Sequence, residues 1–294
     1  MSAAVLAYSL FSPKVLPQHR LHDTHRTDAS RYWFNLPAVV LTNAILYPAH
    51  EMRLYITPNI LEHELAPILS IMKRQPNFTY QVVDMEYDAT EPAIWRIMPL
   101  WEAGIETFHT RDIDSIPTEI EYRYTLAFEK SRCAMGTLRT HAHHYGIKCR
   151  MLAGLSSFRP NQIPYQMKYN NFYTYYAMRH GNYGSDQDLM IQQFTTDPLH
   201  TQDNFYDHHA YAQKNKQDFP CRSATDRELE EVTLSGQQKT ILQTLKSEGL
   251  DNWAGEPVDA RGPYTNHLLS HFPTVEREIK SSNTLRSFYI RGEA

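Results

Sequence analysis

The sequence predicts an α/β protein with a mostly parallel sheet flanked by helices. Over the first 115 residues, short apolar runs rich in β-forming residues alternate with helical patterns, and breakers separate them. Strands that alternate with helices along the chain usually pair in parallel, because each helical crossover returns the chain to the same end of the sheet. With 294 residues, 41% of them apolar, the chain can bury a large core.

The elements of the first half follow from apolar runs and from the residues that interrupt them. Residues 3–11 are short and apolar and end at Ser12-Pro13, as a buried first strand does. Residues 14–32 are polar and rich in His and Arg, which predicts a surface loop. A helix is predicted next at 33–47, followed by a strand at 52–56. Thr57-Pro58 then begins a helix that Pro67 splits. The last predicted elements of this half are a strand at 80–83, a helix at 91–101 and a strand ending near Arg111.

The second half is predicted to open on a helix. Thr118 and Glu121 have the spacing of a capping box, and apolar residues then recur at helical intervals. Ala153-Gly154, within a predicted strand, would allow close backbone approach to a ligand or a neighbouring strand. The predicted elements are strands at 134–138 and 149–155, a Tyr-rich and Asn-rich connection at 160–176, and helices at 186–194 (capped by Ser185), 226–232 and 237–246 (stopped by Gly249).

Two carboxylates stand where the fourth predicted strand ends. Asp112 and Asp114 are two residues apart, so their side chains would share one face of a continuing strand, and a turn could aim both at one cation. Such hard oxygen ligands favour Mn²⁺ or Mg²⁺ over zinc. The alternative is a solvated pair of aspartates.

Four stretches, in order, resemble a viral and bacterial group of GT-A glycosyltransferases, whose motif is Asp-x-Asp after an apolar strand. The likeness covers about residues 35–210. The family has Asp where Thr140 stands and Pro where Ala142 stands, which puts a catalytic carboxylate there in doubt. The stretches are Arg-Asp-Ile-Asp-Ser at 111–115, Ile-Trp-Arg-Ile-Met-Pro-Leu at 94–100, Leu-Arg-Thr-His-Ala-His at 138–143, and Tyr-Gly-Ser-Asp-Gln-Asp-Leu at 183–189.

The resemblance implies a GT-A-like, Rossmann-like fold and one catalytic domain over residues 1–294. Its parts would be a nucleotide-sugar-binding half at 1–115, an acceptor-side half at 116–220 and a helical region at 221–294. It further implies transfer of a sugar from a UDP- or GDP-sugar to a hydroxyl acceptor. Mn²⁺ or Mg²⁺ would be held by Asp112 and Asp114, with His208 or His209 as an added ligand.

Six residues are candidates for binding the donor. Tyr8, Ser9 and Phe11, at the end of the first strand, would contact the base and ribose of the donor, since ligands bind at the carboxyl ends of parallel strands. The alternative role of these three residues is ordinary core packing. Arg96 stands on an apolar helix face and needs an anionic partner, either the donor phosphate or a structural carboxylate. Arg111 contacts the donor or pairs with a neighbouring aspartate. The candidates are Tyr8, Ser9, Phe11, Arg96, Arg111 and Arg139.

An inverting transfer needs a carboxylate that accepts the proton of the attacking hydroxyl. Asp186, in Gly-Ser-Asp-Gln-Asp, is the first candidate and Asp188 the second. Capping of the following helix is the alternative role of Asp186.

Two other classes of protein compete with the transferase. His141 and His143, two residues apart, would suit a zinc-dependent hydrolase that also uses the aspartates. The aromatic run Tyr169, Phe172, Tyr173, Tyr175 and Tyr176 would suit a carbohydrate-binding module, or the packing of a helix on the sheet.

Charge and cysteine content bear on partners and location. A net charge of −4 gives no global positive field that would attract nucleic acid. The preferred acceptor is therefore a glycan of a viral or bacterial surface glycoprotein or polysaccharide. Hydroxymethylated bases of phage DNA are the second choice. Three widely spaced cysteines indicate reduced thiols. The apolar N-terminal run is too short to span a bilayer. We therefore expect no transmembrane segment and a cytoplasmic location, in the host cytoplasm if the protein is viral.

Overall fold

A single sheet of eight strands organises the part of the chain that the computed structural model describes, residues 3–12, 30–88, 90–141, 144, 151–163, 171–179, 184–194, 205–209, 222–223 and 225–290. The strands are β1 (Ala3–Leu10), β2 (Glu51–Ile56), β3 (Phe78–Val82), β4 (Ile105–Thr110), β5 (Met135–Arg139), β6 (Ser156–Phe158), β7 (Phe205–His209) and β8 (Arg222–Ser223). Their order is β3-β2-β1-β4-β6-β5-β7-β8. Only β6 is antiparallel to its neighbours in this sheet. The predicted mostly parallel, Rossmann-like sheet flanked by helices is confirmed.

Helices cover both faces of this sheet. They are α1 (Ser30–Phe34), α2 (Leu36–Leu46), α3 (Pro67–Met72), α4 (Glu119–Lys130), α5 (Phe172–Tyr176), α6 (Ser185–Phe194), α7 (Asp226–Glu230), α8 (Gly236–Ser247), α9 (Pro263–Ser270), α10 (Pro273–Ser281) and α11 (Asn283–Tyr289), with 3-10 helices at Pro58–Glu62, Glu91–Trp101 and Pro160–Gln162. None of the described helices has the length and apolar character needed to cross a membrane.

The alternation of side chains along β1 shows how the two cores form. Leu6 and Leu10 enter a core shared with α2, α3 and the helices α8 to α11. Val5 and Ala7 enter a second core on the opposite face, built with the 3-10 helix Glu91–Trp101, α5 and α6. Because successive residues of a strand point to opposite faces, a fully apolar strand is buried on both sides.

Helices α9 to α11 pack on the N-terminal half; a helical region is predicted at 221–294, but these three helices are not placed within it. Asn35 ties down the segment before α9: its Nδ2 donates to the Val258 carbonyl at 2.8 Å, and its Oδ1 accepts from the Ala260 N–H at 2.9 Å. Within α9, the Tyr264 hydroxyl hydrogen-bonds Thr42 Oγ1 at 2.8 Å. These contacts hold residues 253–258 against the end of the sheet that carries the Asp-x-Asp motif.

Two predicted elements differ from the structure. The strand expected at 149–155 is wrong over its described residues: 151–155 form a turn, and the strand β6 begins only at Ser156. The helix at 91–101 exists as a 3-10 helix. Pro99 lies inside it and, because it has no N–H, removes one hydrogen bond from the helix.

The capping box predicted at α4 is only half formed. Thr118 Oγ1 accepts from the Glu121 N–H at 3.3 Å, as expected of an N-cap residue. The Glu121 carboxylate does not return the bond; it forms a buried ion pair with Arg111 instead. The start of α4 is thereby fastened to the residue beside the aspartates.

A candidate active site at the carboxyl ends of β1 and β4

A cavity of about 400 Å³ lies beyond the carboxyl ends of β1 and β4. In the strand order, β1 separates the run β2-β3 from β4 and the later strands, so this is the switch point where open α/β sheets bind ligands. Seven of the predicted site residues line it: Ser9, Phe11, Arg96, Asp112, Asp114, Asp186 and Asp188.

A turn after β4 carries the Asp-x-Asp pair. The Asp112 carbonyl accepts from the N–H of Ser115 at 3.4 Å and from its Oγ at 3.1 Å, which closes the turn. The Asp114 carbonyl accepts from the Val258 N–H at 2.9 Å, so the C-terminal segment supports the turn from outside. The Asp112 side chain is 39% exposed, whereas Asp114 is buried, and both face the same cavity.

Arg96 joins two parts of the site that are distant in sequence. Its Nη1 donates to Asp112 Oδ1 and, at 3.2 Å, to the Arg111 carbonyl. Its Nη2 donates to Asp186 Oδ2 at 2.5 Å. Burial lowers the pKa of Arg96, but the two carboxylates more than offset this, so the pKa lies above its usual range and the group stays charged. One buried guanidinium thus links the Asp-x-Asp turn to the start of α6.

Gly154 allows the turn at 151–155 to lie against Asp112. A Cβ on Gly154 would collide with Asp112 Oδ2 and lie 2.5 Å from its Cγ. Gln187 of α6 holds this turn: its Oε1 accepts from the Ala153 N–H at 2.9 Å, and its Nε2 donates to the Met151 carbonyl at 2.5 Å. The close approach predicted for Ala153-Gly154 therefore involves a side chain of the site itself.

Ser9 and two aromatic side chains lie at the cavity near the end of β1. Ser9 lines the cavity and is 5% exposed, and its Oγ is buried without a hydrogen-bond partner among the described residues. Phe11 and Tyr32 form an aromatic wall beside it, with ring centroids 5.3 Å apart and planes tilted by 33°. Sequence reasoning missed Tyr32, because it assigned residues 14–32 to a surface loop.

Three other predicted donor residues do not line the cavity. Tyr8 is buried, and its hydroxyl accepts from Asn43 Nδ2 at 3.0 Å. Arg111 pairs with Glu121 and also donates to Thr125 Oγ1 at 2.8 Å. Arg139 is fully buried in β5. The proposed donor site therefore does not include Tyr8, Arg111 or Arg139.

The predicted histidines are only partly described. His208 and His209 belong to β7, but their side chains, like all of His143, lie outside the described residues. The His141 ring stacks on Trp253, with centroids 4.5 Å apart and planes at 21°. The group of three metal-ligating side chains that the described residues form does not include His141, and His143, its partner in the hydrolase hypothesis, lies outside them.

The aromatic run of α5 packs mostly inward. Phe172 and Tyr175 contact the Trp101 ring at centroid distances of 5.7 and 5.4 Å. Tyr173 is 68% exposed, and Tyr169 lies outside the described residues. Packing of a helix on the sheet explains the buried rings without a sugar ligand.

The donor set at the aspartates suits a hard divalent cation. Asp112 and Asp114 offer carboxylate oxygens at one cavity, and the space that a Cβ at position 154 would fill is left to the Asp112 carboxylate. Mn²⁺ and Mg²⁺ accept such ligands and keep other positions for water and phosphate. The residues present therefore fit the ion that the Asp-x-Asp motif implies.

Comparison with known proteins gives only distant likenesses. No protein-family model matches the sequence, and no curated protein matches it. Among solved structures, the chain is similar to 4-diphosphocytidyl-2C-methyl-D-erythritol synthase from Anaerococcus prevotii, with 10% identity, coverage of 83% of this chain and 99% of that one, and a TM-score of 0.40. It is also similar to a protein provisionally described as a nucleotide-diphospho-sugar transferase from Desulfovibrio desulfuricans, with 10% identity, 95% and 98% coverage, and a TM-score of 0.38. We base the function on the residues of this chain.

Proposed function

We propose that the protein is a metal-dependent glycosyltransferase of the GT-A Asp-x-Asp type, which moves a sugar from a nucleotide-diphosphate donor to a hydroxyl acceptor. One observation carries the proposal: Asp112, Asp114 and the buried Arg96 share one cavity at the carboxyl ends of β1 and β4. The motif resemblance supports the same reading, because the stretch around each of these residues matches the family pattern in order.

The leaving diphosphate gains negative charge as the bond to the sugar breaks. Asp112 and Asp114 would hold a divalent ion, and such an ion would supply Lewis-acid stabilisation of that charge. Arg96 adds a fixed positive charge, and its guanidinium geometry suits phosphate oxygens. Because Arg96 already lies between two carboxylates, its position is fixed before the donor arrives, and little reorganisation is needed on binding.

The nucleoside of the donor fits the wall made by Ser9, Phe11 and Tyr32. A donor hydroxyl or base atom would satisfy Ser9 Oγ, which has no partner among the described protein residues. The rings of Phe11 and Tyr32 provide apolar surface for a base or ribose. A UDP- or GDP-sugar is the donor class we propose.

In an inverting transfer, the acceptor oxygen bonds to the anomeric carbon as the bond from that carbon to the diphosphate oxygen breaks. The nucleoside diphosphate leaves with the bonding electron pair, and a carboxylate takes the hydroxyl proton. Asp186 Oδ2 is held by Arg96 at 2.5 Å, whereas Asp188 is exposed at the cavity, where an acceptor enters. We therefore assign the proton to Asp188 and a positioning role to Asp186.

The acceptor we propose is a glycan of a viral or bacterial surface glycoprotein or a polysaccharide. The net charge of −4 argues against long polyanionic acceptors, because a protein that binds duplex DNA neutralises its phosphates with Lys and Arg. Phage-type transfer to a DNA base is the alternative, and it would show as steeply salt-dependent binding to duplex DNA.

Thermal unfolding with a panel of nucleotide sugars tests the proposal. We expect Mn²⁺ together with one UDP- or GDP-sugar to raise the melting temperature, since a ligand that binds only the folded state stabilises it. The Asp112→Asn/Asp114→Asn variant should lose this shift. A flat response across the panel, equal in the two proteins, would refute the proposed function.

A further inference from the structure

A second cluster of metal-ligating side chains lies on the α4 side of the sheet, outside the cavity. His50, His109 and Glu129 bring one ligand atom each within 4.8 Å of one another. They come from the turn before β2, from β4 and from the last turn of α4. Sequence spacing gave no sign of this group, because its members are far apart along the chain.

Both imidazoles aim the same nitrogen at the same oxygen. His50 Nε2 lies 2.8 Å and His109 Nε2 lies 3.2 Å from Glu129 Oε1. The two rings are inclined at 46°, with centroids 6.2 Å apart, so they converge without stacking. A tetrahedral zinc ion with ligands at about 2.0–2.1 Å needs its ligand atoms about 3.3 Å apart. The two nitrogen–oxygen distances, 2.8 and 3.2 Å, are near that value, and the two nitrogens lie within 4.8 Å of each other.

Glu129 Oε1 is crowded by donors. Thr107 Oγ1 also donates to it, at 3.3 Å, so three groups approach one carboxylate oxygen. A carboxylate has about four lone-pair sites on its two oxygens, or about two for each. A cation bound between the three ligand atoms would remove this excess of donors.

The surroundings of His109 are those of a metal ligand. Its Nδ1 hydrogen-bonds Ser157 Oγ at 2.7 Å, which fixes the ring and leaves Nε2 facing the cluster, as an outer-shell partner of a ligating His does. The fourth ligand of such a site would be water, and Glu129, with a side chain 21% exposed, is the member of the cluster in contact with solvent.

We propose that His50, His109 and Glu129 form a zinc site that links α4 and the turn before β2 to strand β4. Two imidazoles and one carboxylate are a common ligand set for Zn²⁺. This site differs from the oxygen-only pair in the cavity, which suits a harder cation.

The test uses the full chain in the Asp112→Asn/Asp114→Asn background, so that its outcome is independent of the proposed function. The chelator-stripped protein is titrated with Co²⁺, whose visible absorption reports tetrahedral coordination, and then with Zn²⁺ in competition. We expect one equivalent to bind and thermal stability to rise. His50→Gln or Glu129→Gln should weaken binding by at least about tenfold.

A matched control separates this site from surface histidines. His271, on the C-terminal helices, forms a ring pair with His267 at 5.1 Å, and His271→Gln should leave Co²⁺ binding unchanged. Circular dichroism confirms that each variant is folded. The proposal is overturned if the stripped protein shows no tetrahedral Co²⁺ spectrum, or if folded His50→Gln and Glu129→Gln proteins bind as tightly as their parent.

Discussion

Gly154 lies so close to the carboxylate of Asp112 that no side chain fits at position 154. Gly154→Ala should therefore displace Asp112 and with it the proposed cation. Because misplacement of site groups by about 1 Å can cost about 100-fold in rate, we expect a loss of turnover of that order. Steady-state kinetics with the donor found in the panel measures it. Gly236→Ala is the control, since a Cβ there meets open space; equal activity of both variants would contradict this role of Gly154.

Ser9→Ala should affect folding and donor binding in opposite ways. Among the residues that the structure describes, the buried Ser9 hydroxyl has no partner, so its removal should leave the free protein as stable as before or slightly more stable. If that hydroxyl bonds the nucleoside, donor binding should weaken by about 1–3 kcal/mol. Urea unfolding and calorimetric titration measure the two effects, with Ser70→Ala, at an exposed position, as the control. Unchanged donor affinity would remove Ser9 from the donor site.

Replacing Arg111 should lower the free energy of unfolding. Arg111 and Glu121 form an ion pair whose side chains are 3% and 2% exposed, and removing one partner leaves a buried charge without compensation. We expect Arg111→Met to cost about 3–5 kcal/mol in the free energy of unfolding. Adding Glu121→Leu should restore part of that loss. Arg227→Met removes an exposed pair with Glu231 and should leave the unfolding curve unchanged. A fully stable Arg111→Met protein would contradict the structural role.

Substitutions of Asp186 and Asp188, the two carboxylates of α6, should have different effects on kcat and on donor affinity. Asp188→Asn should lower kcat by about 100- to 10,000-fold with little change in donor affinity, because it removes only the proton acceptor. Asp186→Asn should weaken donor binding as well, since it releases Arg96 on one side. Donor affinity from titration and kcat from product formation distinguish the two variants. Equal kcat in Asp188→Asn and the parent would show that Asp188 is not the proton acceptor.

The sequence predicts the order of strands and helices in the first half of the chain well, because local sequence patterns determine these elements. Alternating strands and helices predict the parallel sheet, and the breaker after the fourth predicted strand predicts the turn that carries Asp112 and Asp114. The resemblance directs attention to Arg96, Asp186 and Asp188, all of which line the same cavity as the aspartates.

Tertiary contacts determine what the sequence does not predict. Glu121 has the spacing of a capping-box residue, yet its carboxylate is drawn to the buried Arg111, since a buried guanidinium needs an anion. The predicted strand through Gly154 is a turn, held by Gln187 from a helix more than thirty residues later in the chain. Tyr32 reaches the cavity from α1, and the cluster of His50, His109 and Glu129 forms only when strand and helix pack together.

Anomalous diffraction from crystals soaked with Mn²⁺ and the nucleotide sugar that stabilises the protein tests the central claim most directly. We predict a manganese peak within coordination distance of the Asp112 and Asp114 carboxylates, with the donor diphosphate beside it and in reach of Arg96. Manganese and nucleotide bound elsewhere, with both aspartates uncontacted, would contradict the proposed donor site.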